Sequence, residues 1–198
     1  MNEDLRAAIA ASAARMVVEE GLEYAPAKRK AARELGRRSA RGSELPSNEA
    51  IEDEVRDYLS LFCADTQPGE LRALRRLALQ WMDRLAEFRP HLGGAVWRGT
   101  ATRLSNLIID LYCDDPKAVE ISFLNLGLDF DSGGANADEA LVLSLAASCA
   151  DLGEAITVHC VVRDFDELRG ALKPDARGRS WRGDTVALRR LLADDPDE

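Results

Sequence analysis

Between Leu92 and Leu111 the chain reads LGGAVWRGTATRLSNLIIDL, and most of the residues able to receive a phosphorylated ligand are gathered there. Gly94 and Gly99 would let backbone amides approach an anion closely, because neither has a Cβ to hold it off. Thr100 and Ser105 offer hydroxyls, Asn106 a side-chain amide, and Arg98 and Arg103 planar guanidinium forks that match phosphate oxygens. Asn106, Ile108 and Asp110 then fall at alternate positions of a strand-like run, so a regular strand points all three to one face. Of the three, Asn106 offers a cation one neutral oxygen, Ile108 none and Asp110 a carboxylate. Asp110 is the best remaining carboxylate, with Asp114 at the strand's end. Asp110 stands ~13 Å from Asn106 along an extended strand at ~3.3 Å per residue, too far to share one ion easily. The simpler reading pairs Asp110 with an arginine or turns it to solvent, and makes Asp115 a helix cap.

This segment resembles the catalytic hairpin of the nucleotidyltransferases: a strand ending in Gly-Ser, a short Gly-containing loop, then Ser-Asp-x-Asp entering the next strand. On that pattern Gly94 holds the Gly position and Ala95 replaces the Ser. Gly99, Thr100 and Ala101 match the loop, Ser105 matches the second Ser, and Asn106 and Ile108 replace the two carboxylates. The resemblance implies a mixed sheet preceded by a helix, and chemistry in which two cations clamp the attacking and leaving oxygens of an in-line displacement. A third carboxylate should come from a neighbouring strand. ALVLSLAA is the candidate strand, with Asp138 and Glu139 only at its edge. The expectation is a frame without catalytic or metal-binding residues and without a cofactor, acting as a nucleotide-binding or interaction module. Its nucleotide-binding set is Gly94, Arg98, Gly99, Thr100, Arg103, Ser105 and Asn106. The alternative is an active enzyme that uses Asp110 and Asp114 with Mg²⁺ in a displaced arrangement.

Over most of its length the chain is also similar to a family of small bacterial proteins. The segments that carry this likeness are EEGLEYAPAKRKAARELG (Glu19 to Gly36), FRPHLGGAVWRGTATRLS (Phe88 to Ser105), YCDDPKAVEI (Tyr112 to Ile121) and PDARGR (Pro174 to Arg179). Members are usually described as nucleotidyltransferase-like domains of unestablished role, and some carry the label UDP-N-acetylmuramate–alanine ligase. An ATP-dependent ligase of that class needs a phosphate-cradling loop. No G-x-x-x-x-G-K-[ST] occurs here, and the chain is short for separate ATP and substrate domains.

The elements that must position these residues follow from periodicity. The first ninety residues read as helical. Leu5, Ile9, Met16 and Val17 share a helix face that stops at Gly21, and Pro26 suits the first turn of a second helix ending at Gly36. A third helix carries Ile51, Val55, Leu59 and Phe62 on one face, and a fourth after Pro68 carries Leu71, Leu74, Leu77, Ala78, Trp81 and Leu85. Beyond Pro90 the pattern changes. Ala95 to Arg98 and Leu107 to Cys113 read as strands, and Pro116 to Leu126 as a helix capped by Asp115 and stopped by Gly127. Leu128 to Asp131, ALVLSLAASC and AITVHCVV read as further strands. Asp164 with Glu167 predicts a capping box for the short helix DFDELRG, and Asp184 to Leu192 a last helix. The fold class is α+β, with an N-terminal helical region (residues 1–66) packed on a nucleotidyltransferase-like mixed-sheet domain (residues 67–198).

Composition bounds the partners. The chain has 198 residues, 46% hydrophobic and 31% charged, with a net charge of −9, which argues against general nucleic-acid binding by bulk electrostatics. No apolar run approaches the ~18 residues that would suggest a membrane span. The N-terminus lacks the basic and apolar regions of a secretory signal, so a cytoplasmic location is expected. Cys63, Cys113, Cys149 and Cys160 are scattered and read as reduced thiols. Against the acidic background, Lys28, Arg29, Lys30 and Arg33, continued by Arg37, Arg38 and Arg41, form one basic cluster. The segment AAIAASAARMVVEEGLEYAPAKRKAARELG faintly resembles the opening of tetracycline-repressor-type domains, which makes a DNA- or RNA-binding regulator the third reading. The plainer reading of the cluster is a solvated face with charge pairs. His91 reads as a boundary hydrogen-bonding residue and His159 as a satisfied strand histidine. Ser144 and Ser148 lack the G-x-S-x-G context of a hydrolase nucleophile. The partners left open are a nucleotide or phosphate ligand, a protein, or a nucleic acid, with no membrane.

Overall fold

The computed structural model describes residues 3–37, 45–133, 140–175 and 177–194. The chain divides into two compact units, Met1–Gly69 with Thr100–Ser105, and Glu70–Gly99 with Asn106–Glu198. The first unit is helical: α1 (Glu3–Glu20), α2 (Tyr24–Glu34) and α3 (Asn48–Phe62). Alanines let these helices approach closely. Ile9, Ala10, Ala13, Ala14 and Val17 of α1 cluster with Ala27, Ala31 and Ala32 of α2 and with Ile51, Val55 and Leu59 of α3. Gly21 ends α1 at φ 68°, and a Cβ there would stand 2.8 Å from the Leu104 carbonyl oxygen, so both conformation and space require glycine. Pro26 lies within the first turn of α2, which begins two residues earlier than its position suggests. At the other end Gly36 takes φ 80° and Arg37 N–H bonds back to the Ala32 carbonyl at 2.8 Å, a left-handed cap. Ser47 caps α3 by accepting the Ala50 N–H at 3.1 Å. Phe62 departs from the expected buried face. It is the last residue of α3 and 70% exposed, with its ring against Tyr58 at 4.6 Å between centroids.

The second unit is built on a six-stranded sheet. After α4 (Gln67–Arg84) and a 3₁₀ turn over Ala86–Phe88 come β1 (His91–Gly93), α5 (Gly94–Arg98), β2 (Leu107–Tyr112) and α6 (Pro116–Asn125). Then follow β3 (Asp131–Gly133), β4 (Val142–Cys149), β5 (Glu154–Arg163), β6 (Gly183–Asp184) and α7 (Thr185–Asp194). The strand order is β3-β4-β5-β2-β1-β6. Only the β2–β5 pair is parallel; the other four pairs are antiparallel. The fold is therefore α+β with a mixed sheet. Leu107, Ile109, Leu111, Val158, Cys160, Val162, Leu143 and Leu145 alternate onto one buried face. Ile108, His159 and Ser144 face the other way. The register sets Gly93, Ile108, His159, Ser144 and Asp131 in one row across five strands.

Several expected elements shift. Ala95 to Arg98 is helix rather than strand. Gly94 takes φ 63°, which turns the chain out of β1 after three residues and starts α5. The short strand expected at Leu128–Asp131 begins only at Asp131. The capping box does not form: Asp164 accepts the Asp166 N–H at 2.8 Å, while the Glu167 carboxylate lies 3.5 Å from Arg163. Asp115 caps α6 as its position requires, accepting the Lys117 N–H at 3.0 Å, and Gly127 follows at φ 64°. Cys149 and Cys160 are free, buried thiols, and burial pushes the Cys160 thiol up to about 12. Among the described residues no helix is long and apolar enough to cross a membrane.

Two-residue β6 is held by packing more than by length. The Trp97 ring of α5 lies so close over Gly183 that any Cβ would run into it, and its Nε1–H donates to the Ser180 carbonyl at 3.0 Å. Gly183→Ala should therefore overpack this contact and destabilise the second unit by about 2 kcal/mol, within the range for small-to-large core changes. Urea unfolding followed by tryptophan fluorescence checks this; an unchanged midpoint would show that the ring moves aside freely.

Candidate functional site

The expected nucleotide-binding residues divide between the two units. Gly94, Arg98, Gly99 and Asn106 belong to the sheet unit, whereas Thr100, Arg103 and Ser105 belong to the helical one. In the sheet unit, Gly94 lies directly against Ile108: a Cβ on Gly94 would stand 3.1 Å from Ile108 Cδ1. The turn leaving β1 is thus beside the β2 position where the resemblance calls for a second carboxylate.

Arg98 does not face a ligand. Its side chain is 4% exposed, Nη2 lies 3.1 Å from Asp175 Oδ2, Nη1 donates to the Ser180 carbonyl at 3.2 Å, and the guanidinium sits 4.1 Å from the centre of the Trp181 ring. It is a fastening between α5 and the loop before β6, and the expectation of a phosphate-binding Arg98 is corrected accordingly. Asp175, from the PDARGR segment, is the other half. Its Oδ1 accepts the N–H groups of Arg177 and Arg179, both at 2.9 Å. The Arg179 amide, joined by the Arg177 amide and the Arg98 guanidinium, holds the Asp175 carboxyl below its usual range, against burial that acts to raise it. Sequence reading missed this clamp, although a short polar residue two and four positions ahead of amide donors is a recognisable turn signal.

The hydroxyls of the loop also have local settings. Ser105 Oγ accepts the Thr102 N–H at 3.1 Å and closes a turn. Thr100 is buried, and its Oγ1 has no hydrogen-bond partner. Arg103 is exposed, and Gly99 ends α5 at φ 82°.

The carboxylate positions are more telling. Asn106 directly precedes β2 and Ile108 is its second residue; the neighbours of β2 are β1 and β5, not the β4 strand (ALVLSLAA) expected to bring a third acid. The β5 residue level with Ile108 is His159. Its Nε2 lies 3.3 Å from Asn106 Nδ2, and its Nδ1 lies 2.8 Å from Ser144 Oγ on β4. His159 thus links three segments through both ring nitrogens. Ser144 also lines a cavity of about 400 Å³ with Thr157, Asp129 and Asp131. Asp138 and Glu139 lie outside the described residues. Among those described, no group of three or more His, Cys, Asp or Glu is arranged to hold a metal ion.

Asp110 is 1% exposed and lies between two arginines. Arg163 Nε reaches its Oδ1 at 2.5 Å, and Arg182 Nε bonds its Oδ2. Burial works against the Arg163 charge, but the hydrogen bond and charge of Asp110 more than offset it, so the Arg163 pKa is raised. Tyr112 shares this corner; burial first, then the Asp110 charge, raises its phenol. A carboxylate with both oxygens engaged by guanidinium groups is a poor ligand for a cation. Asp114, the other displaced candidate, is exposed beyond the end of β2.

In the helical unit the basic cluster is less open than its sequence suggests. Lys28 Nζ donates to the Pro46 carbonyl at 3.0 Å, and burial lowers its pKa against the opposing charge of Glu49. Lys30 pairs with Glu20 at 2.5 Å. Arg29, Arg33 and Arg37 are exposed, and Arg38 and Arg41 lie outside the described residues.

Two consequences can be measured. Asp110→Ala leaves two guanidinium groups facing each other; because they are 26% and 30% exposed, solvent relieves part of the penalty, and the expected loss of stability is about 2 kcal/mol. A neutral result in urea unfolding would free Asp110 for another role. Asp175 acts through pH. Its folded pKa is depressed, so its contribution is complete above the ordinary carboxylate value of about 3.9 and is lost as pH falls through the lower folded value. Asp175→Asn should lower stability at neutral pH and flatten the acid limb below about pH 4; a limb of unchanged slope would contradict this.

Comparison with known proteins adds little beyond the geometry. No family model matches the chain, and no curated protein matches it. Among solved structures, it is similar to the Cid1 poly(U) polymerase with MgGTP bound, at a TM-score of 0.38 and 12% identity, over 57% of this chain and 38% of that one. The chain thus spans well under half of that protein's length, and a likeness of this degree carries no argument about activity.

Proposed function

We propose that this chain is a nucleotidyltransferase-like protein whose two-cation site has been replaced, and that it works by binding a nucleotide or a protein partner rather than by phosphoryl chemistry. One observation carries the reading. Ile108 of β2 lies against Gly94, His159 of β5 is level with Ile108, and Asn106, directly before β2, bonds His159. Two-metal catalysis needs hard anionic oxygens to hold its ions and to stabilise both ends of an in-line displacement. An amide, an alkyl chain and an imidazole bonded at both nitrogens do not supply them. The free buried thiols Cys149 and Cys160 suit a reducing compartment, in keeping with a cytoplasmic location.

Calorimetry with UTP and with ATP, each with and without Mn²⁺, tests binding, and a pyrophosphate-release assay tests chemistry. The unaltered chain is expected to release no pyrophosphate, and metal is expected not to strengthen nucleotide binding. Asn106→Asp with Ile108→Asp should restore the bridging pair and raise Mn²⁺ affinity at least tenfold, with circular dichroism confirming that the double variant folds. Metal-stimulated pyrophosphate release by the unaltered chain would overturn the reading. A folded double variant with no gain in Mn²⁺ affinity would show that the hairpin has been misaligned.

A further inference from the structure

We infer that the C-terminal end of α2 is a docking edge for the sugar-phosphate backbone of duplex nucleic acid. This rests on the helical unit alone and stands or falls separately from the nucleotide reading. The cations of α2 sort into two groups by what surrounds them. Lys28 and Lys30 are half-buried and engaged, by the Pro46 carbonyl and by Glu20. Arg29 and Arg33, four residues apart, are exposed on the outer side of a helix whose inner side is Ala27, Ala31 and Ala32. Arg37 is also exposed, and its backbone is fixed just past the helix end by the bond to the Ala32 carbonyl. The three arginines thereby stand at the middle, in the last turn and just past the C-terminal end of α2, with positions four apart ~6 Å from each other along the helix axis.

The kind of partner follows from what accompanies them. Guanidinium forks pair with phosphate oxygens in a geometry that a lysine does not reproduce. Single strands are commonly gripped by stacking their bases on aromatic rings. Tyr24, the one aromatic residue of α2, is half-buried at the opposite end. On α2 itself the arginines have no such platform, which suits a backbone of fixed spacing, and contacts of that type carry no sequence information. The acidic balance of the chain as a whole does not oppose this, because screening confines the relevant field to about 8–10 Å at ordinary salt.

Fluorescence anisotropy of the full chain with a labelled 20-base-pair DNA duplex of arbitrary sequence tests the edge. Backbone binding of this kind falls at roughly 1–100 µM. Three phosphate contacts give a salt slope of about −2.7, or an affinity loss of roughly 40-fold between 50 and 200 mM salt. Combining Arg29→Ala, Arg33→Ala and Arg37→Ala should remove that slope, while Arg76→Ala, Arg169→Ala and Arg190→Ala together remove the same charge elsewhere and should leave it. Circular dichroism and sedimentation confirm that both variants keep their fold and mass. Failure to bind at 50 mM salt, an unchanged slope in the first variant or equal loss in the second would overturn the inference. So would tighter binding of single-stranded RNA, or a change in mass of the first variant showing that the arginines meet acidic α3 of a second copy.

Discussion

The ion triad of Asp110 with Arg163 and Arg182 is the constraint on which the sheet unit depends. Asp110 is the one acidic side chain that β2 carries, and β2 is the strand between the parallel and antiparallel parts of the sheet. Arg163 ends β5, and Arg182 directly precedes β6. One buried carboxylate therefore ties together three segments that are far apart in sequence. Such a group must be fully paired if it is not to cost several kcal/mol. The same pairing engages both oxygens of Asp110.

A second fastening works alongside it. Arg98 and Trp97 reach from α5 to the loop before β6, where Asp175 collects two backbone amides and a guanidinium while the Ser180 carbonyl accepts from both side chains. This fastening ties α5 to the loop before β6 and commits Arg98 inward. On the face that carries Ile108, the Asn106–His159–Ser144 chain runs from the start of β2 across β5 to β4. The row ends at β3, where Asp131 is level with Ser144 and lines the same cavity with it and Asp129.

Much of this architecture was legible from local pattern. The helices α1, α3, α4 and α6 follow from apolar spacing and, for α1 and α6, from end signals at Gly21, Asp115 and Gly127. Strand β5 follows from the alternation in AITVHCVV. The errors have a common origin. Ala95 to Arg98 has strand-forming composition, but a glycine in the left-handed region breaks the strand just before it. Arg98 has the chemistry of a phosphate ligand, yet its partner lies 77 positions away in sequence. Lys28 and Lys30 look like open charges until the Pro46 carbonyl and Glu20 are brought against them.

The chain's sequence by itself determined what two positions can offer a cation: Asn106 one neutral amide oxygen and Ile108 no polar atom, whatever the fold, because side-chain atoms are fixed covalently. It also determined helix and strand where the period was strong, since side-chain direction depends only on neighbours a few residues away. Only the tertiary structure decided which strand lies beside β2, and hence that His159 and not a residue of β4 faces Ile108. It alone decided that Asp110, Arg98 and Lys28 are held by internal partners. Those outcomes rest on strand order and long-range pairing, and the free energy that fixes them comes from contacts between segments that no local window of sequence contains.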